Sequence, residues 1–548
     1  MFNRRYILEK RIKILSLIFI CFLLFLIIRI SYLQNKFNPI VTGTELNNSI
    51  NKEKISNYNY LLLDRNGKDL NNYNRKYKVF INGKTFAMNA RNQNLDELMT
   101  FNYILLEEIK DFSINDIVQK KYNVTYEISE YAFNQINDMS GLKGIYVYKY
   151  DEIEEKNNRS IEKVIMETKG FNIKNKVDDY KKDENSLEMK INNYVKNNLN
   201  HKEVFEKDLT GIYENNNYEL NKDNNNIRLT LDKDYQSIIR EVLSREKYKE
   251  FSNIGVAITD GQTGEVLAMA QKNENEPNLI SGAGGILGYE PGSTFKILTL
   301  EAARKYLNTS LSDEYLCQGN ICKKDKIHGK ISVEKAMEVS CNDIFAILGN
   351  KIGKEKLIEF AKEQGYFEKV LELDSDTGME AKGALPGEGS TAGITAIGQT
   401  ILATPIQVLG TMSTIVNNGV YQKPYIFSSV ENQNGEVIET FKAEEKRVMS
   451  EEDALVMKNL LIKATNDGSG INAKIDGIEI GGKTGTAEAN GKSHGWFLGF
   501  FKQNNKYYNM VVFLPYMPDE DSNGFSTGGG NSAAPIFKEI VLELIKNK

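Results

Sequence analysis

A serine and a lysine three residues apart form the first pair in this sequence that could do chemistry. Ser293 and Lys296 lie in the segment EPGSTFK, and residues three apart share one face of a helix. A serine hydroxyl becomes a useful nucleophile only when a base removes its proton. A lysine can be that base if burial or a neighbouring cation lowers the pKa of its ammonium group. The pair alone is equally typical of an exposed helix start, so it needs support from other residues.

A second hydroxyl lies in the tripeptide Ser340-Cys341-Asn342, which follows a predicted helical run over 333–339. The Ser340 hydroxyl could relay a proton between a lysine and a departing amine, and the Asn342 amide could hold a substrate peptide group. Taken by itself, the segment is also an ordinary helix end with a good capping residue.

The third element is the glycine-rich run GGKTGTA over 481–487. Its glycines thin a strand so that a substrate backbone could lie beside Gly485. Lys483 supplies a positive charge, and Thr484 and Thr486 supply hydroxyls suited to a carboxylate. The same stretch satisfies the letters of a nucleotide-binding pattern, but that pattern requires a phosphate-cradling loop and a following helix. Here the apolar residues before the lysine predict a strand.

The spacing of apolar residues predicts the elements that would hold these motifs. Short apolar runs predict strands near 254–259, 266–270 and 480–515, with helical runs in between and a terminal helix over 537–545. Helices in the middle with strands from both ends predict an α+β domain over 227–548 whose sheet joins distant segments.

Residues 34–226 show a mixed pattern without a catalytic constellation. Apolar runs predict strands at 60–63 and 144–148, and the spacing over 95–109 predicts a helix. A chain of 548 residues exceeds what one compact core usually holds. We therefore expect a separate domain here.

The N-terminal region predicts a membrane anchor. Residues 14–28 carry no charge, and the span extends over 12–33, about 20 residues, which is enough to cross a bilayer. Basic residues precede it and place the tail, 1–11, in the cytoplasm, namely Arg4, Arg5, Lys10 and Arg11. A cleaved signal peptide would start in the same way, but the bulky sequence RISYLQ offers no small-residue cleavage site. We expect an uncleaved anchor with the rest of the chain outside.

The bulk composition restricts the partners. The net charge of -5 argues against a nucleic-acid binder, which would normally carry a basic excess. The three histidines lie far apart in the sequence, and no Cys-x-x-Cys pair occurs. We therefore predict no metal and no cofactor.

Three cysteines lie around the second motif. Cys317, Cys322 and Cys341 have a poor spacing for zinc. A disulfide between Cys317 and Cys322 and two free thiols are both compatible with the sequence. Cys341 is expected to be a small buried filler. A sharper hypothesis is that a disulfide from Cys341 to either of the other two distorts the site and switches it off.

The three motifs stand in the order known from serine β-lactamases and penicillin-binding proteins. With NNIRLTLD before them, AIGQTILATPIQ between them and HGWFLGF after them, the sequence resembles a class B penicillin-binding protein, a peptidoglycan D,D-transpeptidase. The resemblance implies a transpeptidase domain of the serine β-lactamase and penicillin-binding-protein type, a sheet flanked by helices. It also implies an N-terminal α+β pedestal or dimerisation-like domain, whose first strand LLDRNGKDL resembles.

The resemblance also implies roles for the reacting residues. Ser293 would attack the penultimate D-Ala carbonyl of a D-Ala-D-Ala stem peptide, and Lys296 would take its proton. Ser340 would pass a proton to the departing D-Ala, and Lys483 would keep the local field positive. An amine of a neighbouring stem peptide would then resolve the acyl-enzyme.

The remaining roles concern binding. Asn342 would orient the donor strand, while Thr484, Gly485 and Thr486 would line the place of the terminal carboxylate. The backbone N–H groups of Ser293 and Thr486 would form the oxyanion hole.

The same resemblance implies the partners and the location. Stem peptides on a lipid-linked precursor would be the substrate, β-lactam antibiotics would be covalent inhibitors, and a membrane glycosyltransferase of wall synthesis is an expected partner. The protein would be a single-pass protein of the bacterial cytoplasmic membrane with its catalytic domain outside.

Other functions share these motifs. A class A β-lactamase needs a deacylating glutamate within Glu-x-x-x-Asn, and no glutamate from Glu355 to Glu479 has asparagine four residues on. A D,D-carboxypeptidase would use the same residues and give the acyl group to water. A β-lactam sensor would need a cytoplasmic output domain, and a silent scaffold would not need the retained motif residues.

Overall fold

The chain forms two compact units that alternate along the sequence. The first unit comprises Met1–Asn59, Tyr73–Ile153 and Leu199–Asn221, and the second comprises Tyr60–Asn72, Glu154–Asn198 and Lys222–Lys548. The computed structural model describes residues 16–29, 50–154, 159–172, 177–207, 213–219, 222–284, 287–322, 326–374, 379–489, 491–520, 524 and 526–547.

The first unit contains two three-stranded antiparallel sheets within its described part. One sheet has Tyr73–Asn82 between Asn123–Ile128 and Ile145–Ile153. The other has Lys202–Lys207 between Ile50–Lys54 and Tyr213–Glu219. The helices of this unit are 16–29, Gly83–Met88, Leu95–Glu108, Ile114–Lys120 and Glu130–Asn137.

The helices of the first unit begin at capping residues and cover the sheet. Asn94, Ser113 and Ser129 each accept a hydrogen bond from a backbone N–H of the first helical turn. Phe101 and Leu105, on the helix Leu95–Glu108, are fully buried in the core beside the central strand. The predicted helix over 95–109 and the predicted strand at 144–148 are both present.

The second unit has an α+β architecture, which confirms the predicted class. Its helices are Ile161–Met166, Leu187–Val195, Lys233–Leu243, Lys296–Leu307, Val333–Glu338, Asn342–Ile352, Lys354–Lys362, Ala392–Ala396, Pro405–Val416, Glu451–Asp467 and Ala534–Lys546. Shorter helical turns are Glu246–Tyr248, Gly292–Phe295, Ile471–Ala473 and Gly529–Ala533. Its strands are Leu62–Leu63, Lys169–Asn172, Val177–Lys181, Asn225–Leu229, Gly255–Asp260, Val266–Gln271, Glu314–Cys317, Gly329–Ser332, Val420–Gln422, Phe427–Asn432, Val437–Thr440, Glu445–Arg447, Ile480–Ala489, Lys492–Gln503 and Lys506–Met517.

The central sheet of the second unit joins the two ends of the unit's longest segment. Among the described residues it has five antiparallel strands, and the last three along the chain lie beside the first two. In spatial order these are Val266–Gln271, Gly255–Asp260, Lys506–Met517, Lys492–Gln503 and Ile480–Ala489. The strand that carries the third motif is therefore at an edge of the sheet.

Both faces of this sheet are covered, since its side chains alternate between two apolar cores. Trp496 and Leu498 belong to the core shared with the central helices. Phe497 and Phe501 belong to the core shared with the terminal helix Ala534–Lys546. This period-two alternation of apolar residues on both faces is what a sheet flanked by helices requires.

The structure describes the predicted N-terminal anchor only in part. The predicted tail, 1–11, and the ends of the predicted span, 12–15 and 30–33, lie outside the described residues. Helix 16–29 covers the middle of the span. In the part of the chain that the structure describes, no helix combines the length and apolar character needed to cross a membrane.

Candidate active site

The turn that carries Ser293 is held against the edge strand by a glycine. Gly292 has a φ of +53°, and a Cβ atom there would lie 2.9 Å from the Thr486 carbonyl oxygen. Its N–H donates to the carbonyl of Gly398 at 3.0 Å. Only glycine allows this conformation in so little space. The helical turn Gly292–Phe295 thus presents a half-buried Ser293 beside the third motif.

Lys296 begins the following helix and is completely buried. Its Nζ donates to the carbonyl oxygen of Ser340 at 2.8 Å and to the Asn342 Oδ1 at 2.6 Å. The Ser340 hydroxyl lies 3.0 Å from the same nitrogen. The structure therefore joins the first two motifs through one lysine side chain.

The surroundings of Lys296 favour its neutral form. Burial, followed by the positive charge of Lys483, holds the pKa of Lys296 well below its usual range. A neutral amine has two hydrogens and one lone pair, so two oxygens can accept from it while a hydroxyl donates to it. Lys296 can therefore act as a base toward a hydroxyl.

Ser340 lies in a sharp corner between two helices. Helix Val333–Glu338 ends, and the Cys341 N–H donates back to the Ala336 carbonyl at 2.8 Å. Ser340 has a φ of +56°, a left-handed conformation that costs energy for a residue with a side chain. Helix Asn342–Ile352 then starts, so that the corner directs Ser340 and Asn342 toward the same lysine.

Lys483 is the second fully buried lysine of the site. Its Nζ donates to the Thr484 carbonyl at 3.1 Å and to the Ser469 hydroxyl at 3.4 Å. Burial lowers the pKa of Lys483 to about 7. The Thr484 hydroxyl also donates to Ser469, at 3.1 Å. Ser469 therefore joins two residues of the third motif.

The rest of the third motif lines an open strand edge. A Cβ atom on Gly485 would come within 2.9 Å of the Thr294 methyl group, so glycine lets the strand approach the serine turn. The Thr486 side chain is exposed, and its Oγ1 accepts from the Gly529 N–H at 3.2 Å. Within the described residues, no further strand pairs with the outer edge of this strand. An extended peptide could add to it by backbone hydrogen bonds.

A cysteine and histidine cluster lies beside the Ser340 corner. Cys317, Cys322 and Cys341 are buried free thiols. Together with His328 they place one potential ligand atom each within 4.8 Å of one another. The spacing of the cysteines in the sequence predicted a poor zinc site. That spacing does not show that the hairpin of Glu314–Cys317 and Gly329–Ser332 brings His328 close to the three thiols.

Two residues that contact the motifs were not predicted from the sequence. Ser469 lies between two glycines after a long helix, and no motif marks it. Asp343 follows the second motif and accepts hydrogen bonds from consecutive backbone N–H groups of Gln318 through Cys322, at 2.6 to 3.0 Å. Burial alone would raise the pKa of Asp343, but these bonds together lower it to about 2. An acidic residue right after Ser-x-Asn was the only signal available.

Comparison with known proteins gives one consistent result. Residues 254–542, more than half of the chain, match the family described as the penicillin binding protein transpeptidase domain. Stage V sporulation protein D of Bacillus subtilis is 31% identical over 362 residues, covering 59% of this chain and 54% of that protein. PbpB of Mycolicibacterium smegmatis is 27% identical over 369 residues, covering 59% and 55%. The chain thus spans about half the length of the curated relatives it matches.

Solved structures show the same fold. A peptidoglycan synthetase from Bifidobacterium adolescentis has a TM-score of 0.59 at 19% identity, covering 91% of this chain and 96% of that one. Penicillin binding protein 3 of Mycobacterium tuberculosis, solved with aztreonam, has a TM-score of 0.51 at 23% identity, covering 59% and 79%. The first likeness extends over both units of the chain.

Proposed function

Because the chain belongs to the penicillin-binding protein transpeptidase family, as a class B member, we propose that it is a peptidoglycan D,D-transpeptidase that uses Ser293 as its nucleophile. One observation carries the proposal. The buried amine of Lys296 contacts Ser340 and Asn342 and has Lys483 as a neighbouring cation. A neutral lysine beside a serine hydroxyl is the base that serine acyl transfer needs.

The first half of the reaction forms an acyl-enzyme. Lys296 takes the proton of the Ser293 hydroxyl, and the oxygen attacks the carbonyl carbon of the penultimate D-Ala of a D-Ala-D-Ala stem peptide. The tetrahedral intermediate collapses and the peptide C–N bond breaks. The proton passes from Lys296 through the Ser340 hydroxyl to the leaving nitrogen, and D-Ala departs.

The second half transfers the acyl group. An amine of a neighbouring stem peptide attacks the ester, its proton returns through Ser340 and Lys296, and the Ser293 oxygen is protonated as it leaves. The products are a new peptide cross-link and the free enzyme. A D,D-carboxypeptidase would differ only in using water at this step.

Binding of the donor is assigned to the edge strand. Lys483 and the hydroxyls of Thr484 and Thr486 provide positive charge and donors for the terminal carboxylate, and Gly485 lets the donor lie close to the strand. Asn342 orients the donor from the other side. The backbone N–H groups of Ser293 and Thr486 form the oxyanion hole, an effect commonly worth about 3 kcal/mol.

The proposed function also assigns a role to each part of the chain. We assign a cytoplasmic tail to 1–11, a membrane anchor to 12–33, a pedestal or dimerisation-like domain to 34–226 and the transpeptidase domain to 227–548. The catalytic domain would lie outside the bacterial cytoplasmic membrane, near lipid-linked precursor and a membrane glycosyltransferase. β-Lactams would acylate Ser293 as substrate mimics.

Labelling with a fluorescent penicillin tests the nucleophile. We expect covalent labelling of the unmodified chain and none of Ser293→Ala. Ser237→Ala is the matched control, because Ser237 is exposed on the helix Lys233–Leu243 and its hydroxyl donates to the Lys233 carbonyl of the same helix. Labelling that persists in Ser293→Ala would refute the assignment.

A product assay with lipid-linked stem peptides tests the acceptor. Peptide dimers together with free D-Ala are expected. Release of D-Ala without dimers would identify a carboxypeptidase instead.

A further inference from the structure

Four side chains with metal-binding atoms converge next to the proposed active site. The Cys322 and Cys341 sulfurs are 3.8 Å apart. The His328 Nδ1 lies 3.5 Å from the Cys317 sulfur and 4.0 Å from the Cys322 sulfur. Three of the four side chains are buried, and His328 is half-buried. We call these four residues the thiol cluster.

The spacing within the thiol cluster fits a tetrahedral ion. Zinc binds sulfur at about 2.3 Å and histidine nitrogen at about 2.0–2.1 Å, so the edges of its tetrahedron are about 3.8 Å between sulfurs and about 3.5 Å between sulfur and nitrogen. The observed 3.8 Å between Cys322 and Cys341 and 3.5 Å between Cys317 and His328 match those edges, while the 4.0 Å between Cys322 and His328 is slightly longer. A disulfide would need about 2.05 Å between sulfurs.

The fold around the thiol cluster fixes its members from three directions. Cys317 ends the strand Glu314–Cys317, which pairs with Gly329–Ser332 directly after His328. The loop carrying Cys322 is held by its backbone N–H groups on the Asp343 carboxylate. Cys341 is the N-cap of the helix Asn342–Ile352. The arrangement thus resembles a preformed ligand set whose members are held in place by surrounding hydrogen bonds, as in metal sites.

We propose that Cys317, Cys322, His328 and Cys341 bind one Zn²⁺ ion as a closed structural site. Three sulfurs and one imidazole nitrogen are soft ligands that favour zinc over magnesium or calcium. Four protein ligands leave no open position, so the ion does not take part in the acyl transfer. Binding releases the three thiol protons, because thiolates are the ligands.

The ion would stabilise the corner that carries the second motif. Cys341 lies between Ser340 and Asn342, the two residues whose oxygens contact Lys296. An ion bound to Cys341 would fix the left-handed Ser340 corner, which costs energy to maintain. Metal binding itself does not depend on the proposed transferase function, whereas its effect on acylation does.

Metal content of the full chain, purified without chelators, tests the site. We expect about one zinc per chain, determined by elemental analysis, and loss of the zinc in Cys322→Ser. Cys21→Ser is the matched control, since Cys21 is an exposed free thiol outside the thiol cluster. Less than about one zinc per ten chains, or equal zinc content in Cys322→Ser, would overturn the proposal.

Replacement of zinc by Co²⁺ in the unmodified chain tests the site even if Cys322→Ser does not fold. After the zinc is removed with a chelator, we expect Co²⁺ to restore the melting temperature and to give the absorption bands of a tetrahedral thiolate complex. Absence of those bands overturns the proposal. So does a Cys322–Cys341 disulfide found by mass spectrometry in protein prepared without oxidant.

Penicillin acylation of the same samples separates this proposal from the proposed function. We expect zinc removal to slow acylation at least about 10-fold and re-addition to restore it, as for the loss of other groups that support a reactive site. Stoichiometric zinc with no labelling at Ser293 would support the metal site and contradict the transferase. Labelling at full rate without zinc would refute the role assigned to the ion.

Discussion

The second unit buries lysines in two different ways. Lys182 is fully buried and pairs with the equally buried Glu188 at 2.8 Å, with a further bond to the Val164 carbonyl. Lys296 and Lys483 are also fully buried, but their hydrogen-bond partners are hydroxyl, amide and carbonyl oxygens. Among the described residues, neither has an acidic side chain in ion-pair contact.

The difference separates a structural lysine from a chemical one. At Lys182 the opposite charge of Glu188 offsets the cost of burial. The bond from Lys182 to the Val164 carbonyl ties this ion pair to the helix Ile161–Met166. Neutral oxygens stabilise a buried ammonium much less, and the pKa of Lys296 and Lys483 falls. Full burial without a counter-charge therefore marks a candidate base, and variants at four positions test this difference.

The largest effect is expected at Lys296. Lys296→Met keeps the length of the side chain and removes the base, and general-base loss costs about 10² to 10⁴-fold. We expect acylation by a fluorescent penicillin to fall by about 10³-fold or more, with the melting temperature nearly unchanged or raised. Acylation within a factor of about ten of the unmodified rate would contradict the assignment of the base.

Lys182→Met is the matched variant from the other region. It leaves the Glu188 carboxylate buried without its partner, which typically costs about 3–5 kcal/mol. We expect a large fall in the free energy of unfolding, measured with urea, and an unchanged acylation rate per folded molecule. Adding Glu188→Gln should return part of the stability. A selective loss of acylation would show that the two lysines do not differ in the way proposed.

The sequence predicted one of these regions and not the other. Ser293, Lys296, Ser340 and Lys483 belong to short motifs whose order along the chain is informative, so local sequence is enough to suggest their roles. The pairing of Lys182 with Glu188 follows no motif. Both residues belong to the segment Glu154–Asn198, which is part of the second unit although the segments before and after it belong to the first.

Other features depend on contacts between distant segments, which local patterns do not contain. Leu62–Leu63 was predicted as a strand, but its parallel pairing with Ile227–Arg228 places it in the second unit. The predicted domain limits assume contiguous domains and stay a prediction. Short apolar runs did predict the central strands, because burial on both faces of the sheet leaves a continuous apolar run, and helical spacing predicted the terminal helix.

A buried acid without a counter-charge should also have a shifted pKa. The shift is upward, because burial disfavours the charged carboxylate. Glu301 is fully buried on the helix that begins at Lys296. One of its oxygens accepts from Gln364 at 2.8 Å, and the other has no hydrogen-bond partner among the described residues. Burial raises the pKa of Glu301 to about 8. Between about pH 4.5 and pH 8 the unfolded chain has lost this proton while the folded chain keeps it, so this group lowers stability as pH rises.

Glu301→Gln should remove that part of the pH dependence. We expect the stability of the variant relative to the unmodified chain to grow by about 2–4 kcal/mol from pH 5 to pH 8, since one pKa unit is worth about 1.4 kcal/mol. Urea unfolding at several pH values measures it. Glu359→Gln, at an exposed position, is the control. Parallel stability curves for Glu301→Gln and the unmodified chain would contradict the raised pKa.

The smallest effect is expected at Ser469, which acts through Lys483. Its hydroxyl accepts from the Lys483 Nζ at 3.4 Å and from the Thr484 hydroxyl at 3.1 Å, so Ser469→Ala removes a neutral oxygen that stabilises the ammonium. We expect kcat/KM for the acyl transfer to fall about 10-fold, the loss typical of a supporting hydrogen bond at a reacting group.

The pH profile separates a positioning role for Ser469 from a merely structural one. Since Lys483 has a pKa of about 7, activity that needs its positive charge should decline above that pH. Without the hydroxyl, the ammonium loses its proton more readily, so the alkaline limb should move to lower pH in Ser469→Ala. Ser469→Thr keeps the hydroxyl and should restore both the rate and the limb. A lower rate with the alkaline limb of the pH profile unchanged would mean that Ser469 only supports the strand. The Ser469 hydroxyl would then not stabilise the ammonium form of Lys483.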